Sequence, residues 1–433
     1  MKKGKEKLPT ILRVHAQADG NDSFLGTLSY DAKARTSAFQ WSEEALGARV
    51  EWSPLCLPLR EQMWLSGKAE YDLNGLPGLI HDALPDGWGL LLMDRAFGRA
   101  GIRKEEITPL LRLAYLADRC WGALRFEPEW GGGSRLDKQA SLMALAEEAS
   151  LIDQGELREV SNTLLLAGGS PHGARPKILV AINGAHDHVL VGQEILPAGY
   201  RHVLVKFAAK DESPTAPILE YCYIRAAKMA GIATMPAEVL DLGDKFAVCV
   251  DRFDRSEGQR RHVHSLGGML HITHRAANAD WVNVAQVLKK LSGGELHMLE
   301  AFRRATFNAL CCIRDDHAKN HAFMRHPDGV WSMSPAYDIT YCDGPGGYHT
   351  MQYAQHTGKN VTWDDLLRTA QAFNVDQTTV LAELDNCRSA RDFLLTEAKG
   401  MGVKKDELAV LRRRFLEVDK AISPGRRVRN KAQ

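Results

Sequence analysis

The segment Arg314-Asp315-Asp316-His317-Ala318-Lys319-Asn320 carries the side chains with the clearest chemical potential, and Asp338 follows it beyond a short predicted hairpin. A carboxylate, an Asn five positions later and a second Asp beyond a hairpin form the arrangement that phosphoryl transfer from a nucleotide requires. One carboxylate can orient the attacking hydroxyl, while the Asn amide and the second Asp supply oxygen ligands for Mg²⁺. The pattern predicts a kinase.

A kinase also needs elements that hold the nucleotide phosphates, and two segments are candidates. Residues 166–177 form a loop of small residues whose backbone N–H groups can approach phosphate oxygens. By itself, such a loop is more often a plain turn. Lys206 lies within the apolar stretch 203–207, where it is either an edge-strand lysine that limits aggregation or a cation directed at phosphate. The residues alone leave both alternatives open.

The stretch Asp251-Arg252-Phe253-Asp254-Arg255 follows a predicted strand at the point where β-rich sequence gives way to predicted helices. A hinge between two lobes is expected there. Its backbone could bond the adenine edge, and Asp254 could accept a hydrogen bond from a ribose hydroxyl. The alternative is an Asp–Arg pair across a surface turn, which contributes little to stability.

The composition is that of an ordinary globular protein, with 433 residues, 45% of them apolar, and a formal net charge of +1. The small net charge argues against an autonomous nucleic-acid-binding protein with a large basic face. No apolar run approaches the roughly 18 residues of a membrane-spanning helix, and no secretory signal is expected at the charged N-terminus. Eight cysteines without a CxxC pair favour free thiols, so we expect a cytoplasmic protein.

We expect an α+β fold with two lobes like those of protein kinases, because β-rich sequence precedes helical sequence. Residues 1–130 are expected to form an extra N-terminal β-rich module. Residues 131–251 would complete a mixed α/β N-lobe with the phosphate loop and the nucleotide-binding Lys. Residues 252–433 would form a mainly helical C-lobe with the catalytic loop, and the chain length supports more than one domain.

Local patterns predict individual elements within these regions. Strands are expected at 11–15, 26–30, 38–41, 178–182, 188–192, 202–207 and 246–250, and helices from 86 to about 99, at 136–151 and at 217–230. Asp86 is expected to be the N-cap of its helix. After Asp254 the chain is expected to be mainly helical, apart from a hairpin between Ala322 and Trp331.

Taken in order, these pieces resemble the HipA family of bacterial Ser/Thr kinases, which act as toxins of type II toxin–antitoxin systems. The matching segments are Ser170 to Lys177, Lys206, Asp251 to Arg255, Asp315 to Asn320 and Tyr337-Asp338-Ile339. Leu57-Pro58-Leu59-Arg60 and the turn from Leu84 to Gly89 are also similar to the N-terminal domain of the family. The resemblance therefore extends over nearly the whole chain, and residues 317–320 are its most specific part.

The resemblance implies ATP and Mg²⁺ as cofactors and transfer of the γ-phosphoryl group to a protein Ser or Thr. Asp315 would be the catalytic base, and His317 in the same loop would contact phosphate. Asn320 and Asp338 would hold Mg²⁺. The other implied nucleotide-binding positions are Ser170, Gly173 and Lys177 in the loop, Lys206 at the phosphates, Asp251 and Phe253 through their backbones, and Asp254.

Ser170 matches the loop serine that family members autophosphorylate, which withdraws the loop from the nucleotide site and switches the kinase off. A phosphoserine adds nearly two negative charges, so repulsion from the ATP phosphates accounts for such a switch. Pro171 biases Ser170 toward an extended backbone.

Two assignments require a choice between residues. Asp316 stands where the family has a small residue after its catalytic Asp, and the spacing of five to Asn320 selects Asp315 as the base. Glu220 is the candidate for the helix glutamate that pairs with the nucleotide-binding Lys in eukaryotic kinases.

The resemblance also implies partners. The substrate would be a translation-related protein such as an aminoacyl-tRNA synthetase, and a HipB-like helix-turn-helix antitoxin would bind the chain. DNA would be reached only indirectly through that antitoxin, and no membrane would be involved.

Other functions compete with this interpretation. A kinase-fold binding module that acts as corepressor would have lost the base or a metal ligand, yet Asp315, Asn320 and Asp338 are all present. A kinase of a small molecule is an open alternative, whereas a lipid kinase is disfavoured because no basic amphipathic face is found. A DNA-reading protein would need a recognition helix, and none is evident. Four histidines, His262, His264, His271 and His274, are expected to be ordinary core or loop residues rather than metal ligands.

Overall fold

The computed structural model of the chain describes residues 8–131, 138–169, 173–186, 188–256, 258–273, 278–291, 294–356 and 358–423. The chain divides into two compact units. Unit 1 comprises Met1–Pro217, Met235–Thr273 and Ala322–Val330, and unit 2 comprises Ile218–Thr234, His274–His321 and Trp331–Gln433. The division differs from the boundary expected at residues 251–252, because parts of the expected C-lobe belong to unit 1.

The described residues form sixteen strands and thirteen α-helices. The strands are β1 (Ile11–Ala18), β2 (Asn21–Asp31), β3 (Thr36–Trp41), β4 (Trp64–Leu65), β5 (Leu124–Glu127), β6 (Lys138–Ser141), β7 (Lys177–Ile182), β8 (His188–Val191), β9 (Arg201–Phe207), β10 (Ala237–Asp241), β11 (Phe246–Asp251), β12 (Arg255–Ser256), β13 (Gln259–Arg260), β14 (His262–Ser265), β15 (Ala322–Arg325) and β16 (Trp331–Met333). The helices are α1 (Glu43–Ala48), α2 (Gly78–His81), α3 (Gly87–Arg99), α4 (Pro109–Leu116), α5 (Leu142–Gln154), α6 (Asn162–Gly168), α7 (Ala216–Met229), α8 (Leu266–Leu270), α9 (Trp281–Lys290), α10 (Glu295–Leu310), α11 (Trp363–Ala372), α12 (Gln377–Gly400) and α13 (Lys405–Ala421).

Unit 1 begins with an antiparallel five-stranded sheet in the order β4-β3-β2-β1-β5. The β1–β2 hairpin turns at Asp19 and Gly20, which both have positive φ, as in the two-residue turns that match the twist of paired strands. Leu12, Val14 and Phe39 are fully buried and belong to the apolar core beneath this sheet. The three strands predicted for this region are confirmed.

A second sheet of unit 1 has six strands in the order β10-β11-β9-β7-β8-β6. Val203, Val205 and Phe207 of β9 belong to the core on one face of this sheet. Because side chains alternate between the faces of a strand, Lys206 lies on the other face. The four strands predicted between 178 and 250 are confirmed.

Helix α3 connects the cores of the two sheets. Trp88 and Leu92 pack into the core of the six-stranded sheet, whereas Met93 and Phe97 pack into the core of the five-stranded sheet. Residues four positions apart lie on the same face of a helix. Trp88 and Leu92 therefore form one apolar stripe of α3, Met93 and Phe97 form a neighbouring stripe, and each stripe packs into a different core.

One predicted helix has a different start, and the mainly helical region expected after Asp254 begins with short strands. The helix expected over 136–151 starts only at Leu142, because Lys138–Ser141 forms β6 and pairs with β8. The chain after Asp254 is not helical at once, since β12, β13 and β14 precede α8. β14 pairs with β15 of the predicted hairpin, and this pairing holds residues 322–325 within unit 1.

Three histidines join residues 262–271 to the segment 52–82 within unit 1. His262 Nε2 lies 2.7 Å from the carbonyl oxygen of Trp52. His264 lies between the hydroxyl of Ser53, at 2.9 Å, and the carboxylate of Asp82, at 2.7 Å. His271 Nδ1 lies 2.7 Å from a carboxylate oxygen of Glu70. These histidines are buried polar connections, and the described residues contain no group of three or more His, Cys, Asp or Glu that could hold a metal.

Unit 2 is mainly helical. Helix α10 contacts α9, α11, α12 and α13, and its residues Phe302, Ala305 and Leu310 are fully buried. The hydroxyl of Tyr223 on α7 donates to the carbonyl of Cys311, at 2.8 Å, just after α10. Across the described ranges, no helix is both long and apolar enough to span a bilayer.

Buried histidines make the folded state sensitive to acid. Burial lowers the pKa of His262 to about 3, and the nearby His264 adds to this effect. Burial also lowers the pKa of His321 to about 4, against the attraction of Asp316. In the unfolded chain both imidazoles take up a proton near pH 6.5, whereas in the folded chain they stay neutral to a lower pH. Acid therefore favours the unfolded chain: the folded state has its full stability above about pH 6.5 and loses stability as the pH falls toward the folded pKa values. We expect each of these two histidines to lower the free energy of unfolding by about 2 kcal/mol when the pH is lowered from 7.5 to 5.

Urea unfolding of the wild type and a His262→Gln variant at pH 7.5 and pH 5 tests this prediction. The Gln amide can still donate to the Trp52 carbonyl but cannot take up a proton. The variant should therefore lose about 2 kcal/mol less than the wild type on acidification. Equal losses in the two proteins would contradict a neutral, buried His262.

Candidate active site

Residues 313–321 form the segment that carries the predicted catalytic residues, and they lie in unit 2 directly after α10 and Cys311–Cys312. Ile313 forms a parallel bridge with Cys342. Ala318–Asn320 is a single turn of 3₁₀ helix with His317 at its N-cap position. The segment is therefore an ordered loop between two regular elements.

The two adjacent carboxylates of this loop have opposite environments. Asp315 is exposed, whereas Asp316 is 1% exposed. The side-chain amide of Asn320 donates to the backbone oxygen of Asp315, at 2.8 Å. This bond orients the Asn320 amide next to Asp315. The geometry favours Asp315 as the residue that can meet a substrate hydroxyl.

Asn320 and Asp338, the predicted Mg²⁺ ligands, line the same pocket of unit 2. Asp338 has a φ of +56°, a left-handed backbone conformation that non-glycine residues adopt at a cost and that is frequent at functional sites. The hydroxyl of Tyr337 donates to the carbonyl of Lys319 and so ties the Asp338 segment to the catalytic loop. The other polar residues lining this pocket are Arg304, Asn308, Asp316, His321 and Tyr337. Of these, the sequence patterns did not single out Arg304, Asn308 or His321.

The donor set of this pocket fits Mg²⁺ that is shared with a nucleotide. Mg²⁺ is commonly held by one or two carboxylates and completes its shell with water and substrate phosphates. Asn320 and Asp338 supply an amide oxygen and a carboxylate. No cage of three or more ionisable metal ligands occurs in the described part of the chain.

Two lysines face each other on the six-stranded sheet of unit 1. Lys177 of β7 is directly opposite Lys206 of β9, so the two side chains lie on the same face. Both are nearly fully buried, with exposures of 2% and 4%. The pair concentrates positive charge on the face that is turned away from the core. Strand β9 lies between β7 and β11 in the sheet, so Lys206 is not an edge-strand lysine.

The end of the predicted phosphate loop is anchored on the start of α3. Asp86 accepts a hydrogen bond from the backbone N–H of Gly173. The backbone N–H of Trp88 donates to the Gly173 oxygen at 3.0 Å, and its indole N–H donates to the Lys177 oxygen at 2.9 Å. A Cβ on Gly87 would lie 2.6 Å from the Gly173 oxygen, so only glycine permits this approach.

Asp86 therefore has a different role from the one predicted. It occupies the N-cap position of α3, but its side chain makes no capping bond there and binds the loop at Gly173 instead. Ser170, the predicted autophosphorylation site, lies outside the described residues.

The predicted hinge leaves β11 at Asp251. The Asp251 carboxylate pairs with Arg201 at 2.8 Å, and the backbone N–H of Arg252 donates to the His202 oxygen at 3.0 Å. The ring of Phe253 packs edge-on against Trp121 at 5.9 Å. These contacts hold the backbone of the hinge in place within unit 1.

Asp254 does not fit the predicted ribose contact, because it is 1% exposed and its oxygens are occupied inside unit 1. It accepts from Arg252 at 2.7 Å, from Arg255 at 2.8 Å and from the backbone N–H of Gly122 at 2.9 Å. Burial alone would raise the pKa of Asp254, but the charges of Arg252 and Arg255 hold it well below its usual range. The Asp–Arg pairing considered from sequence is present, yet it is internal rather than on the surface.

Glu220 is buried on α7 in unit 2. Its burial suits a structural carboxylate, and its proposed pairing with the nucleotide-binding Lys stays a prediction.

Comparison with known proteins shows the family and the fold of the chain. Residues 17–127 match the model of the HipA N-terminal domain, and residues 169–392 match that of the HipA-like C-terminal domain. A Shewanella oneidensis protein described as a serine/threonine-protein kinase toxin HipA is 24% identical over 352 residues, which cover 74% of each chain. The HipA chain in a Shewanella oneidensis MR-1 complex of HipA, HipB and operator DNA aligns with a TM-score of 0.68. That alignment covers 95% of this chain and 97% of the other at 18% identity, and it shows the fold.

The C-terminal match alone spans just over half of the chain, and the N-terminal match adds most of the first module. The predicted two-lobed kinase-like α+β fold is confirmed. The chain therefore belongs to the HipA family of serine/threonine protein kinases.

Proposed function

We propose that this chain is a growth-inhibiting toxin that transfers the γ-phosphoryl group of ATP to a Ser or Thr of a translation-related protein in the cytoplasm, such as an aminoacyl-tRNA synthetase. The observation that carries the proposal is an exposed Asp315 bonded through its backbone to Asn320, which lines one pocket with Asp338. These are the three groups that phosphoryl transfer needs at the hydroxyl and at the metal.

The proposed site residues would act by positioning the substrates or by electrostatic attraction. Asp315 accepts the proton of the substrate hydroxyl and orients its oxygen toward phosphorus. Asn320 and Asp338 hold Mg²⁺, which neutralises phosphate charge when it is bound. Lys177 and Lys206 offer positive charge to the phosphates from one face of the sheet. His317 contacts phosphate, and the backbones of Asp251 and Phe253 bind adenine.

We further propose a HipB-like antitoxin as the partner and self-inactivation at Ser170. The Shewanella HipA chain that shares this fold was solved with HipB and operator DNA. A net charge of +1 suits a chain that reaches DNA through a partner rather than by itself. Phosphorylation of Ser170 would place negative charge in a loop that must approach ATP phosphates.

Mass spectrometry of the purified chain after incubation with Mg²⁺ and ATP tests the proposal. We expect one added phosphate on the peptide 168–177 in the wild type and none in an Asp338→Asn variant. Asp385→Asn is the matched control, because Asp385 is an exposed carboxylate of the same unit that pairs with Arg388 at 3.5 Å and does not line the pocket.

The control variant should be phosphorylated like the wild type. Equal phosphorylation of the Asp338→Asn variant would remove Asp338 from the metal site. A wild type with neither added phosphate nor a nucleotide-induced rise in melting temperature would overturn the kinase proposal in favour of a kinase-fold binding module.

A further inference from the structure

The two neighbours of Asp315 are buried, and both bind the same distant segment of unit 2. Arg314 is 3% exposed and Asp316 is 1% exposed, while Asp315 between them is exposed. We infer that Asp316, assisted by Arg314, is a positioning residue that holds Asp315 in place by anchoring the loop on residues 342–351. This inference rests on the proposed function, in which Asp315 is the base.

Asp316 uses both of its carboxylate oxygens for the anchor. Oδ1 accepts from the backbone N–H groups of Thr350, at 3.0 Å, and Met351, at 3.1 Å. Oδ2 lies 3.0 Å from Nδ1 of His349. Charge-assisted bonds of this kind are stronger than neutral ones, and their burial keeps water from competing for them.

Arg314 binds the same segment from the other side of Asp315. Its backbone oxygen accepts from both the N–H and the hydroxyl of Thr350, each at 3.0 Å. Its guanidinium donates to the Gly347 oxygen at 3.1 Å and to the side chain of Asn360 at 2.9 Å. A Cβ on Gly344 would lie 2.7 Å from the Cβ of Arg314 and 2.0 Å from the Tyr348 oxygen, so the segment fits only with glycine at that position.

This arrangement has a consequence for regulation. Some kinases order the segment after their metal-binding Asp by phosphorylating it, and an Arg then pairs with the new phosphate. Arg314 instead binds a carbonyl and an amide that are always present, and Asp316 binds two backbone N–H groups. The segment 342–351 is therefore docked without a phosphate, and Asp315 needs no activating modification there.

An Asp316→Asn variant tests the positioning role against Asp365→Asn as a matched control. Asp365 is also 1% exposed in unit 2, and it accepts from the N–H and the hydroxyl of Thr362, at 2.9 and 2.6 Å, away from the loop. Both variants should lower the melting temperature. Only Asp316→Asn should lower kcat, by about 10- to 100-fold, because a small misplacement of a catalytic group has that cost. KM for ATP should change less than about twofold, since this interaction serves the transition state.

A double-mutant cycle separates positioning from general structural damage. If Asp316 acts through Asp315, an Asp315→Asn/Asp316→Asn double variant should retain the same residual rate as Asp315→Asn alone. Wild-type protein that transfers phosphate should carry none on residues 341–356. Unchanged kcat in Asp316→Asn, a further loss in the double variant, or phosphate on 341–356 in the active protein would each overturn the inference while leaving the proposed function intact. An inactive wild type would overturn both.

Discussion

An Asp315→Asn variant is expected to transfer phosphate about 10²- to 10⁴-fold more slowly than the wild type, which is the usual contribution of a positioned general base. The amide keeps the size of the carboxylate but cannot accept the proton of the substrate hydroxyl. Because Asp315 is exposed, the free energy of unfolding should change by no more than about 0.5 kcal/mol. Initial rates of phosphate incorporation from radiolabelled ATP, with melting curves of both proteins, measure the two quantities.

The dissociation constant for ATP provides the internal control, because Asp315 is assigned to the hydroxyl and not to the nucleotide. It should be within about twofold of the wild-type value if the lost interaction belongs to the transition state alone. Full activity in a correctly folded variant would exclude Asp315 as the base. The second carboxylate of the loop is then no simple replacement, since both oxygens of Asp316 are already used by residues 349–351.

Replacing Asp254 by Ala is expected to reduce the free energy of unfolding of unit 1 by about 3–5 kcal/mol, the usual cost of breaking a buried ion pair. Arg252 and Arg255 would remain largely buried, with side-chain exposures of 11% and 8%, and would lose their shared carboxylate. The backbone N–H of Gly122 would lose its acceptor as well. Urea unfolding followed by circular dichroism measures this loss.

Asp385→Ala is the control for the ion-pair prediction. Asp385 pairs with Arg388 at 3.5 Å, but its side chain is 81% exposed, so its removal should cost no more than about 1 kcal/mol. If Asp254→Ala costs as little as the control, the internal cluster does not stabilise unit 1. A stable Asp254→Ala variant with weakened ATP binding would instead support the predicted contact between Asp254 and ribose, against which the burial of Asp254 argues.

Local sequence was sufficient to predict those strands and candidate site residues whose pattern lies within a few neighbouring positions. The apolar stretch 203–207 predicted β9 and placed Lys206 within that strand, and the spacing within 315–320 selected Asp315 and Asn320. Asp338 was added because it follows the hairpin, and the pocket of unit 2 does bring it together with Asn320. Such features follow from strand and loop geometry over a few residues.

Local sequence could not predict the environment of each carboxylate, because the groups that bind it are distant in the chain. Asp316 is separated by 33 residues from His349, Asp86 by 87 from Gly173, and Asp254 by 132 from Gly122. Whether an Asp caps a helix, anchors a loop, neutralises buried arginines or stays exposed for catalysis depends on which distant backbone groups reach it. Those partners meet only when the sheets and helices pack, because the cost of desolvating a carboxylate must be offset by hydrogen bonds from groups that local sequence does not contain.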